Sequence, residues 1–345
     1  MKRMNIASLV IAAAGLALPA ALADEGMWLV NKPPMAELAK HGFTPDAAWL
    51  ENAMQACVRF STGGSGSVVS KDGLVMTNHH VASDMLAKLS TPERNLMDKG
   101  YLAASRDQEL KCPDLELNML REIIDVTDRV KAAGEGMSSA EANTARRKMM
   151  AQIEKETGDK NGLMCQTVAL YQGGKYHLYC YKRFTDVRVV FAPEKQAAFF
   201  GGDADNFEYP RYCMDVTFFR VYENDKPYAP EHFFPFSAGG SKEGDLAIVL
   251  GNPGRTQRLN TMAHLAYLRD HAMPRRLAGL WRGEIKAQTF AGRSLENARI
   301  IEDDLFGIAN GRKAVTGQYA SLLDPAVMNR KREAEQRLRS AVAQN

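Results

Sequence analysis

Apolar and polar residues alternate in several short segments of the first two-thirds of the chain, which is the pattern of half-buried β-strands. Turns rich in glycine separate two pairs of these segments, at residues 71–73 and 173–174, and predict β-hairpins. The predicted strands are Gly66–Ser70, Leu74–Thr77, Cys165–Tyr171, Tyr176–Arg183, Val187–Phe191, Asp215–Tyr222 and a short buried strand at Leu246–Leu250. This part of the chain is therefore predicted to be rich in β-structure.

Three segments before and between these strands are predicted to be helical. Residues 45–60 carry apolar side chains at helical spacing after a Thr-Pro start, and residues 139–158 have a capping-box-like start at Ser139 and a glycine at their end. Residues 83–108 are polar and predict helix, whereas residues 115–127 fit either a strand or a helix.

The residue composition of the sequence changes near residue 258. From about Leu259 onward Ala, Leu, Arg and Glu dominate, β-branched runs vanish, and residues 326–344 read as a charged helix. We therefore expect a β-rich body over residues 24–258 and a helical segment over residues 259–345.

The first 23 residues have the features of a signal peptide. Lys2 and Arg3 precede an apolar stretch from Ile6 to Ala20, and Ala21-Leu22-Ala23 forms a small-residue cleavage site. The alternative is a transmembrane anchor, but the stretch is short for a span of about 20 apolar residues. We therefore expect export to the periplasm, cleavage before Asp24, and no membrane attachment of the mature protein.

Composition excludes some partners. The 345 residues include 44 basic and 41 acidic side chains, giving a formal net charge of +3. No basic stripe interleaved with aromatic residues is present in the sequence, so we expect no binding of nucleic acid.

Cysteine and histidine spacing give no sign of a metal or cofactor. The five cysteines (Cys57, Cys112, Cys165, Cys180 and Cys213) fit no zinc-ligand pattern. Because an exported protein keeps its disulfides, we expect one or two bridges and at least one free thiol, with the pairing left open. The seven histidines approach ligand spacing only at His79 and His80, and neighbouring residues of a strand point to opposite faces. We predict no metal and no organic cofactor.

Two residues stand in an order typical of serine peptidases. The string GGSGSVVSKDGLVMTNHH at 63–80 delivers His79 and His80 to a predicted strand end, and Asp215 opens a later strand. The order His then Asp matches chymotrypsin-type enzymes, in which the carboxylate orients the imidazole base. Taken alone each residue is more often structural, but the surrounding strand-turn-strand pattern favours catalysis. We predict His80 and Asp215 as the catalytic pair and His79 as a packing neighbour.

No serine after Asp215 is a convincing nucleophile. Ser241 lies in a loop and lacks the glycine that should follow it, while Ser65 and Ser67 precede the histidines and suit a strand entry. Ser294, Ser321 and Ser340 lie in polar, helical surroundings. The nucleophile therefore stays unidentified.

Three long motifs resemble the S46 peptidases, the family of dipeptidyl-peptidases 7 and 11. They are the histidine string at 63–80, FFGGDADNFEYPRYCMDVTFFRVY at 199–222 and GDLAIVLGNPGRTQR at 244–258. The resemblance runs from Asp24 to the end of the chain and covers roughly the front half of such enzymes. It implies a mainly β fold, a chymotrypsin-like double β-barrel with its second barrel incomplete, plus a partial α-helical domain.

The resemblance also implies roles for particular residues. His80 would be the general base and Asp215 its orienting carboxylate. Asn206 would anchor the free amino group of a peptide, because an ammonium needs acceptor oxygens. Phe207 stands where the family usually has tryptophan, and its backbone carbonyl remains available as a further acceptor. The family's nucleophile lies far downstream, beyond the helical domain.

On this basis we expect a serine dipeptidyl aminopeptidase that releases dipeptides from the free N-termini of peptides, with its nucleophile half outside this chain. A homodimer or a complementing C-terminal half would be its protein partner. The alternative is an inactive periplasmic pseudoprotease that binds peptides. A stress-type periplasmic endopeptidase shares the TNxH and GNP strings but lacks the GGDADN string at 201–206.

Overall fold

The computed structural model of the chain describes residues 27–199, 206–207, 211–253 and 260–344. The predicted signal peptide, most of the GGDADN string and the boundary near residue 258 lie outside these ranges. The described strands are β1 Cys57–Phe60, β2 Ser65–Val68, β3 Leu74–Thr77, β4 Tyr101–Leu102, β5 Leu110–Lys111, β6 Leu117–Asp125, β7 Met164–Leu170, β8 Lys175–Phe184, β9 Asp186–Ala192, β10 Thr217–Glu223 and β11 Lys226–Pro227.

The described helices surround this sheet and then form the last part of the chain. They are α1 Met35–Lys40, α2 Ala47–Ala56, α3 His79–Leu89, α4 Leu96–Lys99, α5 Thr127–Ala132, α6 Ser139–Asn161, α7 Lys195–Ala198, α8 Met262–Tyr267, α9 Met273–Ala291, α10 Leu295–Leu323 and α11 Pro325–Ala343. No helix of the described ranges has the length and apolar character needed to cross a bilayer.

One antiparallel sheet holds all of the strands. Its main order is β4-β9-β10-β3-β2-β1-β6-β8-β7, with β5 on β9 and β11 on β10. Only Thr185 separates β8 from β9, yet β8 pairs with β6 while β9 pairs with β10. The sheet therefore curls around one apolar core.

Alternation explains why the strands face this core. In β1, β2 and β3 every second side chain is buried, as the sequence pattern requires. Phe60 and Phe219 meet edge to face at its centre, with ring centroids 5.7 Å apart. Burying side chains of this size stabilises the fold by about 1.5–3 kcal/mol each. The prediction of a mainly β body followed by a helical segment is confirmed.

A second, smaller core lies under helix α6. Ile153 of this helix packs with residues of the β7–β8 hairpin, and Cys165 and Cys180 form a disulfide across that hairpin. The N-cap of α6 is Ser138, one residue before the predicted start, and its end is capped by Gly162, four residues beyond the predicted stop. The predicted hairpin at 165–183 is confirmed.

The structure corrects two predictions, for residues 83–108 and 246–250, and decides a third segment that fitted either a strand or a helix. Residues 83–108 are not one helix, because α3 ends at Leu89 and Gly100, with φ at +68°, turns the chain from α4 into β4. Residues 115–127, left open between strand and helix, contain the long strand β6. The segment Leu246–Leu250 is not a buried strand: no described strand pairs with it, and Val249 is 97% exposed.

The helical part has its own core, centred on Leu265, Val315, Leu322 and Met328. An ion pair between the buried Glu284 of α9 and Arg312 of α10 joins these two helices. Helix α10 also reaches the β-rich body, because Phe306 packs edge to face on Phe199 with centroids 4.7 Å apart. This contact places α10 beside Phe199.

Candidate active site

The two histidines open helix α3 and do not end a strand. Strand β3 stops at Thr77, and Asn78 takes the N-cap position with φ −79° and ψ 151°. His79 and His80 form the first turn of the helix, so the expectation that they lie on a strand is wrong. They nevertheless differ in exposure: His79 is 4% exposed, while the side chain of His80 is 69% exposed.

Strand pairing brings Asp215 to this helix start. Thr217 of β10 pairs with Thr77 of β3, so the residues just before Thr217 lie beside those just after Thr77. The carboxylate Oδ2 of Asp215 lies 2.8 Å from Nδ1 of His80, and Oδ1 accepts the main-chain N–H of His80 at 3.1 Å. The structure thus brings together two residues 135 positions apart that the sequence predicts as a pair.

The contact fixes which ring nitrogen of His80 is available. An ionised carboxylate only accepts hydrogen bonds, so Nδ1 carries the proton that points at Asp215. Nε2 is then left with a free lone pair on the exposed side of the ring. This is the arrangement in which an imidazole removes a proton from a nucleophile.

His79 has surroundings of a different kind. Its Nε2 has no hydrogen-bond partner among the described residues, and burial lowers the pKa of its imidazole. Burial outweighs the nearby charge of Asp215, which acts in the opposite direction. A buried neutral histidine agrees with its prediction as a packing neighbour.

The glycine-rich entry to β2 packs closely beside His80. Gly64 has φ +99°, and a Cβ there would lie 2.8 Å from a methyl carbon of Val81, the residue after His80. The hydroxyl of Ser65 accepts the main-chain N–H of Asn252 at 2.7 Å. Among the described residues no serine hydroxyl donates to the His80 ring, and the nucleophile remains unidentified.

Asn206 is 6% exposed and is held by helix α10. Its amide Nδ2 donates to Oδ1 of Asn310 at 2.9 Å, and its main-chain carbonyl accepts from Nζ of Lys313 at 3.2 Å. Its own Oδ1 receives Nη1 of Arg211 at 3.5 Å. Because Asn310 takes the amide nitrogen, the amide oxygen is left as the acceptor, and Arg211 occupies it in this structure.

Phe207 follows in a left-handed conformation, with φ at +64°, and is 58% exposed.

A main-chain hydrogen bond links the residue before Asp215 to helix α7. The N–H of Met214 donates to the carbonyl of Ala197 at 2.9 Å. Asn206 and the His80–Asp215 pair are therefore held by connected parts of the structure.

Sequence reasoning did not single out Asn78, Asn310 or Lys313. Asn78 lies inside the quoted histidine string and carried a signal, because an asparagine before a helix is a typical N-cap. Asn310 and Lys313 are three residues apart on one helix face, but no sequence pattern links them to Asn206. In the described part of the chain no group of three or more His, Cys, Asp or Glu side chains is placed to hold a metal ion.

The His80–Asp215 pair lies where the neighbouring strands β3 and β10 end and begin, and its geometry is like that of the His–Asp pair of serine peptidases. The family model "Peptidase S46" matches residues 23–345, and the chain belongs to this family.

The relatives found by sequence comparison are named either dipeptidyl-peptidase 7 or Asp/Glu-specific dipeptidyl-peptidase. Dipeptidyl-peptidase 7 of Phocaeicola vulgatus is 30% identical over 365 residues, covering 97% of this chain and 50% of that protein. Dipeptidyl-peptidase 7 of Capnocytophaga gingivalis is 35% identical over 264 residues, 70% of this chain and 37% of the relative. The Asp/Glu-specific dipeptidyl-peptidase of Porphyromonas gingivalis is 33% identical over 271 residues, again 70% and 37%.

A solved structure is also similar to this chain. The crystal structure of Porphyromonas endodontalis DPP11 matches with a TM-score of 0.82 and 27% identity, over 93% of this chain and 50% of that one. The chain spans half or less of the length of the proteins it matches.

Proposed function

We propose that this chain carries the acid–base part of a serine-type dipeptidyl peptidase that cleaves dipeptides from free peptide N-termini. The 2.8 Å contact between Nδ1 of His80 and Oδ2 of Asp215 is the observation that carries this proposal. Family membership supports it, because the matched relatives are named dipeptidyl-peptidases.

His80 would act first as a base and then as an acid. Its Nε2 takes the proton of a serine hydroxyl as that oxygen attacks the peptide carbonyl, and later gives the proton to the leaving amine. Asp215 holds the ring and stabilises the imidazolium that forms between the two steps. The serine is a residue that neither the sequence nor the described structure identifies. A chymotrypsin-like double barrel, as in the resemblance above, would place it opposite His80.

Asn206 would set the length of the product. Its Oδ1 and the main-chain carbonyl of Phe207 are acceptors suited to an ammonium, which would take the place of the Arg211 guanidinium on Oδ1, while Asn310 holds the amide nitrogen. An N-terminus bound there, two residues from the attacked carbonyl, restricts the enzyme to releasing dipeptides. With Phe207 in place of the usual tryptophan, the wall beside the bound residue is smaller.

Periplasmic location and a complementing partner complete the proposal. The charged start, apolar stretch and Ala21-Leu22-Ala23 support export. The exposed apolar side chains of Leu246, Ile248 and Val249 support completion of the fold by further strands, from a C-terminal half or a second copy. Fractionation of cells and size-exclusion chromatography of the mature protein test these two points.

The decisive experiment is release of a fluorophore from dipeptidyl amides by the purified mature protein. Substrates with an acidic and an aliphatic penultimate residue are compared with their N-acetylated forms. With a complementing C-terminal half that supplies the serine, we expect turnover of the free dipeptides only, abolished by His80→Ala and kept by the control His232→Ala, whereas this chain alone should release no fluorophore. Turnover that survives His80→Ala would overturn the proposed role of His80.

One observation favours a second candidate, a peptide-binding pseudoprotease: no described serine hydroxyl meets the His80 ring. A folded chain that turns over neither substrate even with that C-terminal half would support it, provided that calorimetry shows binding of free but not acetylated dipeptides. Absence of both turnover and binding would exclude both functions for this chain.

A further inference from the structure

Asn78 occupies the N-cap of helix α3 but does not cap it with its side chain. An N-cap asparagine normally accepts a hydrogen bond from a main-chain N–H of the first helical turn. Here the side chain turns the other way, and its Nδ2 donates to the main-chain carbonyl of Asp215 at 3.0 Å. The same nitrogen lies 3.2 Å from the carboxylate Oδ2 of Asp215.

Asp215 supplies the cap that Asn78 leaves out. Its Oδ1 accepts the main-chain N–H of His80, the second residue of the helix. Its Oδ2 therefore receives two donors, Nδ1 of His80 and Nδ2 of Asn78. Three donors from consecutive parts of one helix start thus converge on one carboxylate, whose side chain is only 16% exposed.

Another asparagine in the chain shows the usual arrangement. Asn95 caps helix α4, and its Oδ1 accepts the N–H groups of Met97 and Asp98 at 3.1 and 3.3 Å. Asp46, Thr261, Ser294 and Asp324 also cap their own helices through side-chain oxygens. The diverted amide of Asn78 is therefore a property of this site and not of N-cap residues in general.

We propose that Asn78 is a positioning residue of the active site, which fixes the carboxylate of Asp215 and through it the tautomer of His80. Two hydrogen bonds from Asn78 hold both the main chain and the side chain of Asp215 against β3. Without them Oδ2 keeps one donor, and the carboxylate is freer to rotate away from the exposed imidazole. The inference rests on the proposed function, because it assigns a role within the same site.

The tautomer of His80 tests this directly. In the mature chain labelled with ¹⁵N-histidine, the chemical shifts of the two ring nitrogens report which one carries the proton, at a pH where the imidazoles are neutral. His80→Ala assigns the signal among the seven histidines. Asn78→Leu removes the amide at similar size, and Asn95→Ala is the matched control, an N-cap asparagine that does not contact Asp215.

We expect His80 of the unchanged chain to carry its proton on Nδ1. Asn78→Leu should move part of the population to the Nε2–H form, whereas Asn95→Ala should leave the shifts unchanged. A wild-type tautomer in Asn78→Leu would overturn the proposal. Because Asn78 is exposed, folding should survive; if circular dichroism shows otherwise, Asn78→Ser gives the same reading.

The measurement is independent of turnover. A chain that hydrolyses no dipeptide even with a complementing C-terminal half, but shows the tautomer change, keeps the assignment of Asn78 and loses the proposed function. A chain that hydrolyses dipeptides while Asn78→Leu leaves the tautomer in place keeps the function and loses the assignment. The two failures are therefore distinguishable.

Discussion

Asp215 binds His80 at two points, through Oδ1 to the main-chain N–H at 3.1 Å and through Oδ2 to Nδ1 of the ring at 2.8 Å. One carboxylate thus both caps helix α3 and orients the imidazole of its second residue. Asp215 therefore serves both the stability of helix α3 and the orientation of the proposed catalytic base. A substitution of Asp215 can remove one of these roles and keep the other.

Asp215→Ala and Asp215→Asn should differ in stability but not in activity. The amide oxygen of asparagine still accepts the His80 N–H, whereas alanine loses this cap at a cost of about 1 kcal/mol. Both variants lose the negative charge that selects the tautomer, and hydrolysis should fall by about 10³–10⁴-fold in each. Urea denaturation and the dipeptidyl amide assay check the two effects.

Asp84→Ala is the control, since Asp84 lies on the same helix and pairs only with Lys88 at the surface. It should leave hydrolysis unchanged. Equal stability of the alanine and asparagine variants of Asp215 would contradict the capping role. Normal hydrolysis by Asp215→Asn would contradict the orienting role.

Arg220 anchors a buried charge network at the other end of the β3–β10 ladder. Its Nε donates to Glu109 at 2.9 Å, and its Nη1 reaches Oδ2 of Asp72 in the β2–β3 turn at 2.8 Å. Tyr222 donates to the second oxygen of Glu109 at 2.7 Å. The side chains of Arg220 and Glu109 are 10% and 3% exposed.

Arg220→Met should lower the free energy of unfolding by about 3 kcal/mol, because it leaves the Glu109 carboxylate buried without its cation. Arg220→Met combined with Glu109→Gln should recover part of this loss, since no uncompensated charge remains. Urea denaturation measures both variants. A loss no larger than that of Lys155→Ala, which removes a surface ion pair, would show that the network contributes little.

Alternation and turn residues predicted the hairpins and the β-rich body because those signals are local. They failed for Leu246–Leu250. Its apolar run predicts a buried strand, but burial requires a neighbouring strand, and the residues of the segment itself give no information about its neighbours. They also placed His79 and His80 on a strand. Asn78 is the local sign of a helix start there, but its side chain contacts Asp215 and not its own helix.

The candidate site, like the fold, was predicted only in part. The order of His80 and Asp215 and the motifs around them indicated the pair, and the structure places these residues in contact. The contacts of Asn206 with Asn310 and Lys313 join segments more than 100 residues apart, and spacing gives no information at that separation. The pairing of Cys165 with Cys180 likewise depended on strand register, which brings them opposite each other on β7 and β8.

Acid should weaken the β2–β3 turn through Asp72. Burial alone would raise the pKa of its carboxyl, but the hydrogen bond from Ser70 and the charge of Arg220 together hold that pKa below its usual value of 3.8. Because the pKa is lower in the folded state, the stabilisation is present above pH 3.8 and is lost as the pH falls through the folded-state pKa.

Urea midpoints at pH 6 and pH 3 test this. Asp72→Asn, which has no charge to lose, should show a smaller decrease between the two pH values than the unchanged chain does. Asp98→Asn, a surface substitution outside the network, should show the same decrease as the unchanged chain. Parallel curves for Asp72→Asn and the unchanged chain would contradict the prediction.

Removing the disulfide should destabilise the β7–β8 hairpin and helix α6. Cys165 and Cys180 are 15 residues apart, and closing a loop of that length stabilises a fold by about 3 kcal/mol. The double variant Cys165→Ser/Cys180→Ser should lose about this amount in urea denaturation. An unchanged free energy of unfolding would show that the bridge is not formed in the purified protein.

Two of the remaining thiols, Cys57 and Cys112, should react slowly in the folded chain. Burial raises the pKa of Cys57 to about 11 and that of Cys112 to about 12, so both are almost entirely protonated at pH 8. Since the thiolate is the reactive form, iodoacetamide should modify them slowly in the folded chain and rapidly in urea. Peptide mass spectrometry over time checks this, and equal rates in the two conditions would contradict it.

Asn310 should matter only for peptides with a free N-terminus. Its Oδ1 accepts from Nδ2 of Asn206 at 2.9 Å and so fixes the amide orientation in which the oxygen is the acceptor left for the proposed ammonium. Asn310→Ala lets that amide rotate, and a lost hydrogen bond to a charged group costs about 1.5–3 kcal/mol. Binding of free dipeptides, measured by calorimetry, should therefore weaken by about 10–100-fold.

Two variants on helix α10 make this prediction specific. Asn310→Asp retains an oxygen that accepts from Asn206 and should bind dipeptides nearly as well as the unchanged chain. Asn297→Ala removes a hydrogen bond to Phe290 within the helical part and should leave binding unaltered. If Asn310→Ala binds free dipeptides normally, Asn310 does not orient Asn206, and the contact between helix α10 and the β-rich body serves packing alone.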